Sequence, residues 1–304
     1  MSDSGPQYLI VPDHADGTQL LPFLQEHMPD ASAVLARGGV WVARQRANAP
    51  DTTLAAGSVV IIHRPPFDTP EPIAGPEWVI YEDRHLIAIN KPPGLYVEMT
   101  PWDSERHVRG ALERWLAERE GRPMPLHLAH RLDRDTSGVL LLVKNPQVNR
   151  GIYQIFSAGE VHKTYLAHAI GDPTFDQQLL ETGHGRSKHG LFRIYPLAEI
   201  GHELPDGSKV KLMQTRLHVQ QRFGASTLVL AEPLTGRTHQ IRLHLSYVGH
   251  PLVGDPKYGG PDSWEGYPTP HHRLHALRMI LPHPVTKQQL ILEAPAPAWS
   301  STKS

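Results

Sequence analysis

The sequence predicts an α+β protein: a mixed, mostly antiparallel sheet with flanking helices, preceded by a small N-terminal α+β module. From residue 78 onward, strand-like segments follow one another with few residues between them, too few for the helical crossovers that parallel strands need. Helix-period stripes occupy only short windows among those strands. The 304 residues, 39 % hydrophobic and 20 % charged, are ordinary globular material, enough for one large domain plus a small one.

Residues 1–63 form the small module. Thr18 is placed to cap a short helix carrying Leu20, Leu21, Phe23 and Leu24. Gly38-Gly39 marks a turn, and Val40-Trp41-Val42-Ala43 and Val59-Val60-Ile61-Ile62 read as strands around a loop at Asn48-Ala49-Pro50-Asp51. Residues 64–77 contain Pro65, Pro66, Pro70, Pro72 and Pro76, which deny regular structure and predict a semi-rigid linker. The large domain is expected over 78–294. Its first strands are residues 78–81 and 86–89. Val108, Leu112, Trp115 and Leu116 fall on one helix face. The unbroken apolar run 140–143 fits a strand buried on both faces. Asn145-Pro146 opens a helix whose buried stripe is Val148, Ile152, Ile155 and Phe156. Further strands read at 164–170, 215–221, 227–231 and 290–293. Thr238 is placed to cap a helix burying Ile241, Leu245 and Val248, with Gly249 as its stop. Residues 295–304 read as a loose tail.

Several classes are disfavoured. Without cysteine there are no disulfides and no thiolate metal sites. No apolar run approaches the ~18 residues of a membrane-spanning helix. Met1-Ser2-Asp3-Ser4-Gly5 lacks the parts of a signal peptide, so a cytoplasmic protein is expected. The net charge of −1 does not itself suggest a nucleic-acid partner. Such a partner would need Lys and Arg gathered on one face, or charge on the 20 histidines.

The chemistry concentrates in His127-Leu128-Ala129-His130-Arg131-Leu132-Asp133-Arg134-Asp135-Thr136-Ser137-Gly138, directly before the apolar run. A carboxylate beside a buried strand costs several kcal/mol unless paired. Neighbouring guanidiniums would supply that pairing and keep Asp133 ionised, able to act as nucleophile or base. A salt-bridged surface turn is the plainer reading of the same residues. Arg242 would project from the first turn of its helix, a natural place for anionic partners. His271 and His275 have the four-residue spacing of a helical ligand pair, but no Glu lies between them and no third ligand is evident.

The stretch 130–138 resembles the signature of the RluA-type pseudouridine synthases. Tyr81-Glu82-Asp83, Asn90-Lys91-Pro92-Pro93-Gly94-Leu95, Lys163-Thr164-Tyr165-Leu166-Ala167, the blocks 235–245 and 249–259, and Leu274-His275-Ala276 resemble the same family in the same order. The likeness runs over residues 78–294. It implies a pseudouridine-synthase-like fold and an isomerase acting on structured RNA, ribosomal or transfer. Asp133 would be the catalytic aspartate, Arg242 its partner in a two-pronged ion pair, and Tyr165 a catalytic ring that stacks on the flipped uracil and mediates removal of the carbon 5 proton. Arg131, Arg134, Lys163, Arg237 and His239 would meet RNA. Asn90 to Gly94 would be a structural turn, and Asp255 would shape the pocket from a distance. Residues 1–63 resemble the small RNA-binding module that often precedes this domain; the alternative is a packing domain without RNA contact. The isomerisation has no redox step, so no electron-carrying cofactor is expected; the resemblance implies no metal, and the protein is expected to be a monomer. A glycoside hydrolase would need a second carboxylate about 5 or 6.5–9.5 Å from the first, and a non-catalytic RNA-binding protein would have no use for an ion pair in a pocket.

Overall fold

The computed structural model describes residues 5–66, 69–187 and 191–301. Residues 1–4, positions 67 and 68 of the linker, and 302–304 of the tail lie outside them. The chain divides into two compact units, Met1–Ala74 with Leu95–Pro123, and Gly75–Gly94 with Met124–Ser304.

In the first unit β1 (Gln7–Ile10), α1 (Leu20–His27), α2 (Ala31–Ala36), β2 (Val40–Val42), β3 (Gln45–Arg46) and β4 (Val59–Ile62) follow in turn. The strands form a 4-stranded antiparallel sheet ordered β1-β4-β2-β3. Leu20, Phe23, Leu24, Leu35, Val40, Val60 and Ile62 lie in one core. Thr18 is not the cap of α1; its hydroxyl donates to the Ala15 carbonyl at 2.7 Å. The first-turn amides of Leu20 and Leu21 are instead taken by the carbonyls of Thr52 and Pro50, so no side-chain cap is needed. The β2–β3 turn places Ala43 and Arg44 at φ 48° and 67°. That geometry normally selects Asn or Gly, so the hairpin left no mark in the sequence.

Residues 95–123 group with this unit rather than with the large domain expected over 78–294. The cause is a set of directed hydrogen bonds. Trp41 Nε1 donates to the Pro101 carbonyl at 2.8 Å, Arg46 Nη2 to that of Thr100 at 2.6 Å, and the Ser104 amide to that of Arg37 at 2.9 Å. Helix α3 (Val108–Glu120) follows and buries Val108, Ala111, Leu112 and Leu116, with His107 as its cap. Trp115 stays half-buried under the Arg119 guanidinium, 4.9 Å from the ring centre.

The second unit contains β5 (Val79–Glu82), β6 (Leu86–Lys91), β7 (His127–Leu128), β8 (Ser137–Val143), α4 (Asn149–Ser157), β9 (His162–Ile170), β10 (Gln177–Arg186) and β11 (Phe192–Tyr195). It continues with β12 (Lys211–Arg222), β13 (Ser226–Pro233), α5 (Gln240–Tyr247), β14 (Ser263–Trp264), β15 (Tyr267–Pro268), β16 (Leu274–Pro282) and β17 (Gln289–Glu293). Apart from the small β14–β15 ribbon, these strands form an 11-stranded sheet, β11-β10-β12-β13-β9-β16-β8-β6-β5, with β17 on β16 and β7 on β8. Its pairings are antiparallel except β16 with β8, which run parallel at His275↔Ser137 and Ala276↔Gly138.

Strand β8 is the buried run expected: Val139 to Val143 are each no more than 1 % exposed. Val139, Leu141 and Val143 pack with Ile152 and Ile155 of α4, so that helix covers one part of the sheet. Each such side chain stabilises by about 1.5–3 kcal/mol relative to exposure. The Asn145 side chain accepts from the Gln147 amide at 3.0 Å, the start signal its sequence implied. Ile241 and Leu245 of α5 lie in a second core with Ala167, Leu217, Val229 and Ala231 of β9, β12 and β13. The described end of the tail is packed rather than loose. Trp299 stacks on His168, with ring centres 6.2 Å apart and planes 13° from parallel.

Candidate active site

Asp133 sits in a turn between β7 and β8, closed by the Thr136 amide donating to its carbonyl. The turn is held from two sides. Lys91, at the end of β6 and wholly buried, donates to the carbonyls of Pro92 and Arg134 at 2.7 and 2.8 Å. Burial pulls its pKa down to about 7, and the charges of Asp135 and Asp133 work the other way. On the other side, segment 271–275 pairs residue by residue with the signature. His271 meets Asp135 at 3.0 Å, His272 meets Thr136 at 2.9 Å, and His275 meets Ser137 at 2.8 Å. The histidines that look like metal ligands in the sequence thus serve as side-chain fasteners, and His275 lies on a strand rather than a helix. Among the described residues no group of His, Cys, Asp and Glu is arranged to hold a metal ion.

Asp135 is fully engaged. Arg134 forks onto it at 2.7 and 2.9 Å, and His271 adds a third contact. Although burial alone would raise its pKa, these partners hold the carboxyl far below the ordinary range. Asp133, by contrast, has a 25 % exposed side chain, and Arg242 Nη1 donates to its Oδ2 at 3.1 Å across 109 residues of sequence. The expected two-pronged grip goes elsewhere. Arg242 Nε and Nη2 fork onto Asp255 at 2.7 and 2.8 Å, so Asp255 is a direct partner and not a distant support. The physical reason is burial. Asp255 is 2 % exposed and needs a full counter-charge, whereas Asp133 keeps a face towards solvent. Arg242 stays protonated, because Asp255 and Asp133 outweigh its own burial and raise its pKa. The acids flanking Asp133 are therefore both consumed by guanidinium forks, and neither stands ready as a hydrolase's second carboxylate.

Burial would raise the Asp133 pKa, but His239, Arg242 and His272 bring it below the ordinary carboxylate value. His239 and His272 are themselves pushed to about 4, chiefly by burial, so at neutral pH the positive charge hydrogen-bonded to Asp133 is Arg242. Asp133 is thus an ionised, partly open carboxylate held by one charge-assisted bond.

The N-terminus of α5 differs from the expected Thr238 cap. His239 precedes the helix at φ 58°, a left-handed position for a non-glycine residue. The Gln240 side chain stitches the turn: its Oε1 accepts from the Arg237 amide at 3.0 Å, and its Nε2 donates to the Gln214 carbonyl at 2.7 Å. His239 Nδ1 lies 2.6 Å from the Tyr258 hydroxyl and Nε2 lies 3.9 Å from Asp133 Oδ2. Arg242 stacks on the Tyr258 ring at 4.9 Å. Tyr165 lies on β9 between Ala231 of β13 and Ala276 of β16. Burial first, then the charge of Asp133, raises its hydroxyl pKa.

Asp133, Arg242 and His239 therefore meet in one place, with Tyr165 within the electrostatic reach of Asp133. Arg131 is exposed just upstream of the turn. Arg134 is committed to Asp135, Lys163 sets its ammonium over the Phe156 ring at 5.3 Å, and Arg237 Nε donates to the Leu212 carbonyl at 2.8 Å. Sequence reasoning missed Tyr258 and His272. Tyr258 stood inside the matching block Gly254-Asp255-Pro256-Lys257-Tyr258, and His272 inside the metal-like run His271-His272-Arg273-Leu274-His275, but neither was assigned to the site.

Comparison with known proteins agrees with this geometry. The family model described as RNA pseudouridylate synthase matches residues 85–247. "RNA pseudouridine synthase 1" of Arabidopsis thaliana is 35 % identical over 255 residues, covering 73 % of this chain and 76 % of that one. "Ribosomal large subunit pseudouridine synthase C" of Vibrio vulnificus is 31 % identical over 312 residues, covering 95 % and 92 %. The solved human RNA pseudouridylate synthase domain containing 4 superposes with a TM-score of 0.60 at 26 % identity, over 73 % of this chain and 89 % of that one. The chain belongs to the RNA pseudouridylate synthase family, in its RluA branch. It is an isomerase that converts uridine to pseudouridine in RNA. Among the described residues no helix is long and apolar enough to cross a membrane.

Proposed function

We propose that Asp133 is the carboxylate that opens the reaction, either attacking carbon 1′ of the target ribose or taking a proton from carbon 2′. The observation that carries this reading is its arrangement: partly exposed, ionised, and held by a single bond from Arg242, whose fork is anchored on Asp255. A nucleophile gripped on both oxygens would have fewer electrons to offer, so the unequal division suits the chemistry. Pseudouridine formation breaks the bond from ribose to nitrogen 1, turns the uracil, and joins carbon 5 to carbon 1′. The nucleotide must leave its helix to reach a carboxylate that is only 25 % exposed. Tyr165 stacks against the flipped uracil, a contact that stabilises by about 1–3 kcal/mol per base. Arg131, exposed beside the turn, fills the gap the base leaves. Arg134, Lys163 and Arg237 line the approach of the RNA backbone, and His239 meets the target nucleotide.

Large-subunit ribosomal RNA is the first substrate to test, because the Vibrio relative's name specifies it; transfer RNA is the other candidate. The first unit adds an auxiliary RNA contact through Arg37 and the exposed Arg44, since Arg46 is spent on the carbonyls of Gly38 and Thr100. The protein works as a monomer in the cytoplasm without a metal. Asp133→Asn tests the core of this reading. The expected result is loss of turnover with RNA affinity within a few-fold of wild type; continued turnover would remove Asp133 from the mechanism. Pseudouridine mapping in total RNA from cells with and without the protein identifies the target.

A further inference from the structure

We propose that His239 is the base that takes the proton from carbon 5 of the uracil once that carbon has joined the ribose. The inference rests on the reading of Asp133 as the group acting at the ribose, and it gives His239 a catalytic duty beyond contact with RNA.

Carbon 5 must reach carbon 1′, which Asp133 addresses, so the reacting carbon lies within a bond length of about 1.5 Å from that atom. His239 Nε2 stands 3.9 Å from Asp133 Oδ2. A group beside that carboxylate can come within the roughly 3 Å reach of proton transfer from the newly joined carbon. The ring is also fixed. Nδ1 is tied to the Tyr258 hydroxyl at 2.6 Å, the edge of Phe192 packs 5.7 Å away, and the backbone is held at φ 58°. A left-handed non-glycine residue carries strain of order 1–3 kcal/mol, and such residues gather at functional sites. With Nδ1 engaged, Nε2 is the nitrogen turned towards the carboxylate. The side chain is 16 % exposed, so it is not sealed off.

The electrostatics support the assignment. Arg242 and Lys257 face the imidazole and oppose its protonation, as burial does first, while Asp133 and Asp255 favour it. The ring is therefore neutral at working pH, and in the tautomer this step uses Nδ1–H donates to the Tyr258 hydroxyl, leaving the lone pair on Nε2. An imidazolium formed there would meet the Asp133 carboxylate. Tyr165 is the less suitable base, because a buried phenol beside that negative charge holds its proton more tightly than a free one.

The step balances. When carbon 5 attacks carbon 1′, the electron pair of the bond to nitrogen 1 has already passed into the uracil ring; any bond to Asp133 breaks with its pair on the carboxylate, or, on the other route, Asp133 returns its proton to carbon 2′. Carbon 5 then bears both the sugar and its hydrogen. Its proton moves to Nε2, and the C–H pair becomes the double bond between carbons 5 and 6, with the displaced pair on nitrogen 1. Nitrogen 1 takes a proton from water, and the imidazolium returns one to water. Nothing is oxidised or reduced.

The test uses the full-length protein and RNA that it modifies, large-subunit ribosomal RNA or a transfer RNA pool, transcribed with uridine or with 5-deuterouridine. His239→Asn keeps a residue tolerant of positive φ but removes the base. Its single-turnover rate is expected to fall about 100-fold, and a primary isotope effect absent from wild type is expected to emerge. A rate within a few-fold of wild type, or a slow rate without the isotope effect, overturns the proposal. Should His239→Asn fail to fold, Tyr258→Phe frees the ring while leaving it in place; a smaller slowing with the same isotope effect is expected, and its absence overturns the proposal equally. Asp133→Asn run alongside separates the two readings. Turnover in that variant would sink the assignment of Asp133, whereas a dead Asp133→Asn beside an unaffected His239→Asn would sink only this inference.

Discussion

Arg242 divides its donors unequally, and the division explains why lysine cannot replace it. Two donors satisfy Asp255 and a third holds Asp133. A lysine ammonium is a point charge without the planar fork, so it cannot keep both carboxylates in register. Arg242→Lys is expected to leave the 2 % exposed Asp255 short of a partner, at a cost of about 1–3 kcal/mol in unfolding stability. The single-turnover rate should fall about 100-fold, the loss expected when one preorganised donor is misplaced. Urea denaturation and rate measurement on one preparation check both; near-normal turnover would show that the fork does not matter. The sequence pointed to both Asp133 and Arg242, because each stood in a recognisable block. It could not reveal which carboxylate receives the fork. That depends on burial, and Asp255 looks like a loop residue until its 2 % exposure is known.

At the scale of elements, the Asp133 turn depends on β16. That strand pairs in parallel with β8 at the signature itself, and Ala276 faces Gly138. Gly138 has φ 102°, and a Cβ there would stand 2.2 Å from the Ala276 carbonyl oxygen, with backbone rather than a flexible side chain in the way. Gly138→Ala must therefore push the two strands apart. A cost of about 3 kcal/mol or more is expected, combining overpacking with an unfavourable backbone conformation. Thermal melting and turnover should both suffer; a variant with unchanged melting and full activity would show that the close approach is not required. Strand β16 was invisible in the sequence for a definite reason. Leu274, Ala276, Leu277, Arg278 and Met279 are all good helix formers, and only pairing with β8 and β9 makes them a strand. Strand β10 was hidden differently, because Gly183, His184, Gly185 and Arg186 carry little β-propensity. Strand β8 was legible because an apolar run bounded by a turn has few other uses.

For the whole molecule, the histidines decide the pH behaviour. Their number suggested a reserve of positive charge for RNA, but many are buried and uncharged. In the second unit, His168, His239, His244, His272 and His275 are pushed to about 4 and His130 to about 3, in each case mainly by burial. Attraction for RNA must therefore come from Lys and Arg. The consequence for stability has a definite sign. An unfolded imidazole binds its proton near pH 6.5, whereas these folded ones wait until about 4. Between those values the unfolded chain holds more protons, so the stability these histidines contribute is complete above 6.5 and is lost as pH falls towards 4. Each such group contributes a slope of up to ~1.4 kcal/mol per pH unit within the window. The lowered carboxyls of Asp83, Asp133 and Asp135 act in the same direction, but only below their ordinary value of 3.8. A comparison of pH 7 with pH 5 therefore isolates the histidines. In the first unit His63 and His107 are shifted in the same direction, so its dependence should be weaker. Calorimetry at the two pH values should find the melting of the second unit lower by ~10 °C or more at pH 5, with a smaller change in the first. Equal melting of the second unit at both would mean that those imidazoles take up protons without unfolding, and that the networks around the turn open readily enough to admit them.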